Sequence, residues 1–209
     1  MRLKKMKDAT DIIKNCPYII SNAKEYKNNF KDIFNNNNPI YIEIGMGKGD
    51  FIIQNAIKYP NINFIGIEKF DSVIAKAIKK LDNLKLSNLK LIRMDALEID
   101  EIFNYEIDLI YLNFSDPWPK DRHSKRRLTN VIFLNKYDKI FKENCHIIMK
   151  TDNRKLFEYS IKSLTDYGYK INDISLNLHE DNVENNIETE YEKRFSSLGY
   201  PIYKIDVEK

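Results

Sequence analysis

The sequence predicts an α/β fold built around a mainly parallel sheet. Short apolar runs alternate with longer amphipathic stretches from residue 39 onward, with the periods of strands and helices. Repeated strand–helix units of this kind are typical of proteins in which helices pack on a parallel sheet. A length of 209 residues, of which 43% are hydrophobic, is sufficient for one domain with a substantial core.

Five apolar runs predict the parallel strands, and four helical patterns each follow one of them. The predicted strands span residues 40–44, 63–68, 90–94, 107–113 and 146–150, and the predicted helices span residues 50–59, 71–81, 131–141 and 155–167. Residues 169–178 and 202–207 are expected to close the sheet as an antiparallel edge. The first 34 residues are helix-prone and lie outside this pattern, and residues 35–38 form a polar linker. We therefore expect a single domain of residues 1–209, in which a basic, helical appendage of residues 1–38 precedes the sheet-forming core of residues 39–209.

Composition excludes several classes of protein. The 34 basic and 31 acidic side chains give a net charge of +3, which is far from the strongly basic balance of a nucleic-acid coat protein. The sequence contains no run of 18 apolar residues, so no membrane span is predicted. The basic start is not followed by the apolar segment that a signal peptide requires. Cys16 and Cys145 are too few for a disulfide framework or a thiolate metal site. We expect a cytoplasmic protein without a bound metal.

Three of the six glycines lie at positions 45, 47 and 49, where the first strand should turn into a helix. A phosphate-binding loop of the Walker type needs a longer spacing followed by Lys-Ser or Lys-Thr. A dinucleotide site prefers G-x-G-x-x-G, and here the third glycine comes one residue early. Glu43 beside the turn would also repel a pyrophosphate, whereas it suits S-adenosylmethionine, which carries a sulfonium and an ammonium group. The turn therefore favours S-adenosylmethionine.

Acidic side chains follow the next three strands. Glu68 ends the second strand, Asp95 follows the third and Asp116 follows the fourth. Ligands of open α/β sheets bind outside the carboxyl ends of the strands, so these acids and Glu43 are expected to meet at one site. An acid in such a position can also cap a helix. The four acids together favour a cationic nucleoside ligand over four independent caps.

Residues 113–120 (NFSDPWPK) form the most specific motif in the chain. Two prolines fix the backbone around Trp118. A basic run follows at once, and its members are Lys120, Arg122, His123, Lys125, Arg126 and Arg127. One interpretation is a charged loop with Trp118 in the core. The other is a base-sized platform beside a phosphate-binding patch, as recognition of single-stranded RNA requires.

Five segments together resemble the bacterial tRNA (guanine-N7-)-methyltransferase family (TrmB). They are residues 43–49, 113–120, 122–129, 150–153 (KTDN) and 189–195 (TEYEKRF), and they occur in the family order. The resemblance implies a class I methyltransferase fold, which is Rossmann-like, with seven strands and helices on both faces. It also implies transfer of a methyl group from S-adenosyl-L-methionine to N7 of guanosine 46 in the tRNA variable loop.

The matching motifs imply roles for individual residues. The cofactor would be held by Glu43, Gly45, Gly47, Gly49, Glu68, Asp95 and Asp116, of which Asp116 is also catalytic. The guanosine would be held by Lys120, Asp152, Thr189, Glu190, Tyr191 and Glu192. RNA would be contacted by Arg122, His123, Lys125, Arg126 and Arg127. The basic residues among positions 2–7 are either an arm on tRNA or a solvated end, and the protein is either a monomer or a homodimer that needs no other protein.

The chemistry places few demands on the protein, because N7 of guanine already offers a lone pair and no proton has to be removed. We hypothesise that Asp116 stabilises the positive charge that arrives on the ring. Asp152 or Glu192 would accept hydrogen bonds from the guanine N1–H and amino group, although Asp152 could equally cap a helix. Two other functions stay open: methylation of another RNA nitrogen by the same fold, and RNA binding without catalysis.

Overall fold

The computed structural model describes residues 6, 8–181, 183 and 186–209. Within these residues, seven strands form one sheet in the order β3-β2-β1-β4-β5-β7-β6. The strands are β1 (Ile40–Ile44), β2 (Asn63–Glu68), β3 (Leu89–Arg93), β4 (Leu109–Asn113), β5 (His146–Thr151), β6 (Lys170–Ser175) and β7 (Tyr203–Glu208). The first five are parallel, and β7 lies antiparallel between β5 and β6. The predicted α/β fold with an antiparallel edge is confirmed.

Helices cover both faces of the sheet. The α-helices are α1 (Ala9–Lys14), α2 (Phe30–Phe34), α3 (Asp50–Lys58), α4 (Asp71–Leu81), α5 (Ile99–Ile102), α6 (Val131–Tyr137), α7 (Arg154–Asp166) and α8 (Glu190–Ser196). Short 3-10 helices span Ala23–Tyr26, Ala96–Glu98 and Asp121–Arg126. In this part of the chain, no helix has both the length and the apolar character needed to cross a membrane.

The core consists of two apolar layers, one on each face of the sheet. Side chains of α3 and α4 pack on one face, and side chains of α2, α5, α6 and α7 pack on the other. Alternate residues of a strand point to opposite faces, so Ile42 and Ile44 join the α6 layer while Tyr41 packs against the α3 layer. β2 is buried along its whole length, as expected for a central parallel strand.

Some predicted helices and strands have different ends in the structure. The helix predicted over residues 131–141 ends at Tyr137, because Phe141 instead forms a bridge with Ile107. The strand predicted from residue 107 begins at Leu109 for the same reason. The helix α8 was not predicted at all. Thr189 caps it, since its Oγ1 accepts a hydrogen bond from the Glu192 N–H at 2.8 Å.

The segment before β1 packs closely against the sheet rather than lying apart from it. Ile19 forms a parallel bridge with Leu91 on the outer edge of β3. Phe30 is fully buried, and its ring centroid lies 4.5 Å from that of Phe103. The first 34 residues lie outside the predicted strand–helix pattern, and Ile19 adds one isolated bridge to the edge of the sheet. The basic residues at positions 2, 4, 5 and 7 lie outside the described residues.

Asn88 anchors the end of α3 to the start of β3. It is buried, and its Nδ2 lies 2.9–3.1 Å from the carbonyl oxygens of Ala56, Tyr59 and Ile62, which share its two N–H bonds. We expect Asn88→Ala to lower the free energy of unfolding by about 1–3 kcal/mol, because buried carbonyls lose their donor. Asn83→Ala, at an exposed position nearby, is the control and should change it by less than about 0.5 kcal/mol. Urea unfolding of both variants measures the difference, and equal effects would contradict this role.

Candidate active site

A cleft of about 710 Å³ opens at the edge where β1, β2, β3 and β4 end. Three of the four predicted strand-end acids line it, and they are Glu68, Asp95 and Asp116. Gly45 of the glycine turn lines it as well, and Lys69, Lys125 and Arg126 add positive charge. Within the described residues, no group of three His, Cys, Asp or Glu side chains is placed to hold a metal ion.

The glycine turn leaves open space above its backbone. Gly45 and Gly47 have φ angles of 80° and 59°, which are in the left-handed region, and an added Cβ at either residue would meet nothing within 4 Å. The N–H groups of Gly45 and Met46 both donate to the Ile67 carbonyl. Gly49 precedes α3, where a Cβ would lie 3.0 Å from the Ala77 Cβ. The hydrogen bonds to Ile67 therefore fix the turn, and the backbone of Gly45 stays accessible from the cleft.

Glu68 is held rigidly at the centre of the cleft. Its Oε1 accepts from the backbone N–H groups of Lys69 and Phe70 at 2.8 and 3.0 Å, and its Oε2 accepts from Gly47 N–H at 3.1 Å. Burial raises the pKa of Glu68, the three N–H donors oppose that rise, and the charge of Asp116 adds to it. Oε1 already accepts two N–H groups, and Oε2 keeps one lone pair with which it can accept a hydroxyl group.

Asp95 lies on the far side of the cleft beside an apolar wall. Its carboxylate pairs with the Lys69 ammonium at 2.7 Å and accepts from Leu97 N–H at 3.0 Å. Burial alone would raise the pKa of Asp95, but these donors hold it below its ordinary value. Phe70 and Leu97 also line the cleft, and each is 49% exposed. Two apolar side chains beside a carboxylate suit a flat, partly polar ring.

Asp116 lies exposed at the edge of the cleft, in the loop that follows β4. The described part of the chain offers it no hydrogen bond or ion pair. The backbone on either side is unusual, since Phe114 and Trp118 have positive φ angles of 50° and 41°. Such conformations are strained for large side chains and persist only where the surroundings hold them. The loop therefore presents an unneutralised carboxylate on a constrained backbone.

Arg127 provides part of that constraint. Its Nε and Nη2 donate to the carbonyl oxygens of Pro117 and Trp118 at 3.1 and 3.0 Å, and its guanidinium lies 4.3 Å from the Tyr159 ring centroid. Arg127 is 9% exposed. The loop carbonyls and the tyrosine ring already occupy the guanidinium, and contact of Arg127 with RNA stays a prediction.

Trp118 is neither a core residue nor a free platform. It lines the cleft, with the Arg126 guanidinium 4.7 Å from its ring centroid and the His123 ring at 5.9 Å. Arg122 and Lys125 are exposed on the 3-10 helix that follows the loop, and Lys120 is exposed just before it. The basic residues therefore form a surface beside the cleft.

Glu192, which is predicted to contact the guanosine, lies inside the protein. Its side chain is fully buried, and its oxygens contact Lys150 Nζ at 3.1 Å, Asn186 Nδ2 at 2.8 Å and His179 Nε2 at 3.3 Å. Lys150 also donates to Asn186 Oδ1 and Ile187 O, at 2.6 and 3.0 Å. Burial lowers the pKa of Lys150, and Glu192 opposes that change. Sequence reasoning missed this ion pair because Glu192 follows an acidic run that is typical of solvated surface.

Asp152, a predicted contact of the guanosine, directly follows β5. It is half-buried and accepts from the Tyr191 hydroxyl at 3.2 Å. The Tyr191 ring lies 5.0 Å from the ring of Phe114, which lines the cleft. Asp152 is not the cap of α7, since Asn153 accepts from Leu156 N–H and takes that position.

Glu190, the remaining acid of this predicted group, lies apart from Asp152. It pairs with Lys48 of the glycine turn at 2.7 Å, and this ion pair holds the pKa of Glu190 below its ordinary value. The structure therefore brings Asp152 and Tyr191 together, and it directs Glu190 and Glu192 to other partners.

Glu43 points away from the cleft, contrary to its predicted contact with the cofactor. It is 2% exposed and accepts from Asn113 Nδ2 at 2.8 Å on the α3 face of the sheet. The physical reason is strand alternation, because Ile44 and Glu43 are consecutive and only Ile44 lines the cleft. Burial raises the pKa of Glu43 to about 8.

The fold and the cleft define a class I S-adenosylmethionine-dependent methyltransferase. Solved structures agree on the fold: a SAM-dependent methyltransferase from Aquifex aeolicus has a TM-score of 0.56 and 12% identity over 97% of this chain and 99% of that one. An antibiotic-related methyltransferase has a TM-score of 0.63 and 19% identity over 87% and 92% of the two chains.

Sequence relatives specify the family. The family described as "Putative methyltransferase" matches residues 37–205. The tRNA (guanine-N(7)-)-methyltransferase of Lachnoclostridium phytofermentans is 48% identical over 207 residues, which cover 98% of this chain and 97% of that protein. The protein of the same name from Bacillus subtilis is 48% identical over 210 residues, with coverage of 100% and 99%. This chain belongs to the tRNA (guanine-N7-)-methyltransferase family.

The buried pair of Lys150 and Glu192 should dominate the stability of α8. We expect Glu192→Ala to lower the free energy of unfolding by about 3–5 kcal/mol, because it leaves a buried ammonium without its counter-charge. Glu190→Ala is the matched control two residues away, and its exposed pair with Lys48 should contribute about 0–1 kcal/mol. Chemical denaturation of the two variants measures both values.

The double variant Lys150→Met/Glu192→Leu extends this test. It removes both charges together, so it should be less destabilised than Glu192→Ala. Equal effects of Glu190→Ala and Glu192→Ala would contradict the assignment of a buried ion pair.

Proposed function

We propose that this protein transfers a methyl group from S-adenosylmethionine to N7 of guanosine 46 in the variable loop of tRNA. The observation that carries the proposal is the cleft itself. Glu68, Asp95 and Asp116 meet there, at the strand ends of a chain that is 48% identical over nearly its full length to proteins named for this reaction. The protein acts in the cytoplasm on tRNA, as a monomer or homodimer and without an obligatory protein partner.

The cleft fits S-adenosylmethionine on chemical grounds. Glu68 would accept a hydrogen bond from a ribose hydroxyl at Oε2, because three backbone donors fix its carboxylate and leave one lone pair on that oxygen. Phe70 and Leu97 would enclose the adenine ring beside Asp95. The open backbone of Gly45 would border the amino-acid end of the cofactor. When bound, S-adenosylmethionine supplies a methyl group on a positively charged sulfur.

Asp116 is the proposed catalytic residue. The guanine ring gains positive charge at N7 as the methyl group arrives, and an unneutralised carboxylate at the edge of the cleft stabilises that charge. The constrained loop holds the carboxylate in place before the reaction, so little reorganisation is needed. No general base is required, because N7 carries no proton.

Asp152 is the proposed acceptor for the guanine N1–H and amino group. The Tyr191 hydroxyl occupies one lone pair and orients the carboxylate, which leaves the remaining lone pairs for a base. Adenine lacks both donors, so this contact would discriminate against it. The rings of Phe114 and Tyr191 lie beside the same position and offer apolar surface to a base.

Exposed basic residues beside the cleft would bind the phosphates of the tRNA. We assign this role to Arg122, Lys125 and Arg126, which are exposed on one short segment, and to the half-buried His123 among them, while Lys120 just before them would hold the guanosine. Arg127 contributes to the reaction by holding the loop instead. Because binding then depends on a local patch of cations, affinity for tRNA should fall steeply with salt.

Product identification tests the proposed function. Unmodified tRNA is incubated with the protein and radiolabelled S-adenosylmethionine, and the nucleosides are separated after digestion. We expect label in 7-methylguanosine, and none when the guanosine at position 46 is replaced by adenosine in the transcript. Label in another nucleoside would still show a methyltransferase, but it would contradict N7 of guanosine 46 as the methylated position. Binding of cofactor and tRNA without any transfer would favour an RNA-binding protein.

Replacement of Asp116 tests its electrostatic role. Asp116→Asn keeps the shape and removes the charge, so we expect kcat to fall by about 10²–10³-fold, as for loss of a preorganised electrostatic contact. The melting temperature should stay unchanged, because the side chain is exposed and unpaired. Asp121→Asn, in the neighbouring exposed segment, is the matched control. Wild-type kcat in Asp116→Asn would show that Asp116 has another role.

A further inference from the structure

Glu43 and Asn113 form a buried contact below the loop that carries Asp116. The two residues lie on the neighbouring strands β1 and β4 and are 2% and 6% exposed. Asn113 Nδ2 donates to Glu43 Oε1 at 2.8 Å. The other oxygen of each group, Glu43 Oε2 and Asn113 Oδ1, is buried without a hydrogen-bond partner. Two unpaired acceptors on two side chains that already contact each other are costly, unless one of them carries a proton.

Lys150 cannot provide the missing donor. It is the cation nearest to Glu43, but its ammonium group has three N–H bonds, and these are directed to Asn186 Oδ1, Ile187 O and Glu192 Oε2. Its charge is also matched by Glu192, which is fully buried. An ionised Glu43 would therefore be a second buried negative charge beside a cation that already has a partner.

The other groups around Glu43 also disfavour ionisation. Asp50 at the start of α3 and Glu68 at the end of β2 both add negative charge near it. Tyr111 stands opposite Glu43 in the register of β1 and β4, and its ring packs on Phe51 of α3. Gly66 is the neighbour on β2 and has no side chain to offer. Asn113 is the only hydrogen-bond partner that the described residues give to this carboxyl group.

We propose that Glu43 is the neutral acid in the folded protein and that its O–H donates to Asn113 Oδ1. The carboxylic acid and the amide then form a cyclic pair with two hydrogen bonds, which satisfies both unpaired oxygens at once. The rise of the pKa of Glu43 to about 8 through burial agrees with this protonation state near neutral pH.

The pair makes Glu43 a positioning residue for the reaction rather than a ligand of the cofactor. Asn113 is the last residue of β4, and Asp116 follows three residues later. Phe114, the next residue, donates its N–H to the Lys150 carbonyl at 2.8 Å, so the start of the loop is fixed on two sides. Fixing the Asn113 side chain limits rotation of the strand end from which the strained loop begins.

The variant Glu43→Gln distinguishes a neutral Glu43 from an ionised one. A glutamine amide can reproduce both hydrogen bonds, because its N–H₂ donates to Asn113 Oδ1 and its oxygen accepts from Asn113 Nδ2. Glu43→Ala should lower kcat at least tenfold, and Glu43→Gln should restore most of that loss. Glu158→Gln, at an exposed position of α7, is the matched control. These kinetic measurements rest on the proposed function, and the two measurements that follow do not.

The first independent measurement is the titration of the carboxyl group. With ¹³C-labelled glutamate, the NMR signal that is missing in Glu43→Gln is assigned to Glu43, and we expect it to titrate near pH 8 rather than near its ordinary 4.5. Between these values the folded protein holds a proton that the unfolded chain has released. Its free energy of unfolding therefore falls as pH rises, and Glu43→Gln should lose this slope.

The second independent measurement is calorimetric binding of S-adenosylhomocysteine. We expect Glu43→Gln to bind within about twofold of the wild-type protein. A loss of tenfold or more, together with titration of Glu43 near its ordinary value, would overturn the proposal and make Glu43 a charged ligand of the cofactor. If the wild-type protein methylates no tRNA, the proposed function fails, while the titration and the binding measurement still decide the state of Glu43.

Discussion

The carboxylate of Glu68 joins two turns that the chain makes at different places. Its Oε2 accepts from Gly47 in the turn after β1, and its Oε1 accepts from Lys69 and Phe70 in the turn after β2. The spacing between the two turns, and hence the width of the cleft, depends on this one side chain. The apolar wall formed by Phe70 and the open backbone of Gly45 both take their positions from it. The residue that we propose as a ligand of the ribose therefore also builds the site.

The polar side chains at the strand ends form two separate groups, one on each face of the sheet. On the cleft face, Glu68, Asp95 and Asp116 remain accessible to a ligand. On the α3 face, the polar groups of Glu43, Lys150 and Glu192 are buried and directed mainly at one another and at neighbouring amides. The buried group on the α3 face holds α8 and the start of the loop that carries Asp116 against the sheet. The face of the sheet to which a charged side chain points thus decides whether it lines the cleft or stabilises the structure around the cleft.

Most of the fold could be predicted from the sequence, because strand and helix periods are local. β2 lies at the predicted residues, and Glu68 at its end lines the cleft. Glu43 lies on the other face, since a shift of one residue along a strand reverses the face, and the motif alone does not show which face holds the cleft. The burial of Glu192 could not be predicted, because it depends on a distant partner, Lys150, which sequence spacing does not reveal. The contacts of Arg127 could not be predicted for the same reason, as its acceptors are loop carbonyls that only the folded backbone brings near.

A crystal structure with bound S-adenosylhomocysteine tests the central claim most directly. The account predicts that a ribose hydroxyl lies within hydrogen-bond distance of Glu68 Oε2, that the adenine lies between Phe70 and Leu97, and that Glu43 contacts Asn113 alone. A ligand whose ammonium group is held by the Glu43 carboxylate would contradict the division between the two faces. A ribose bound away from Glu68 would contradict the assignment of the cleft itself.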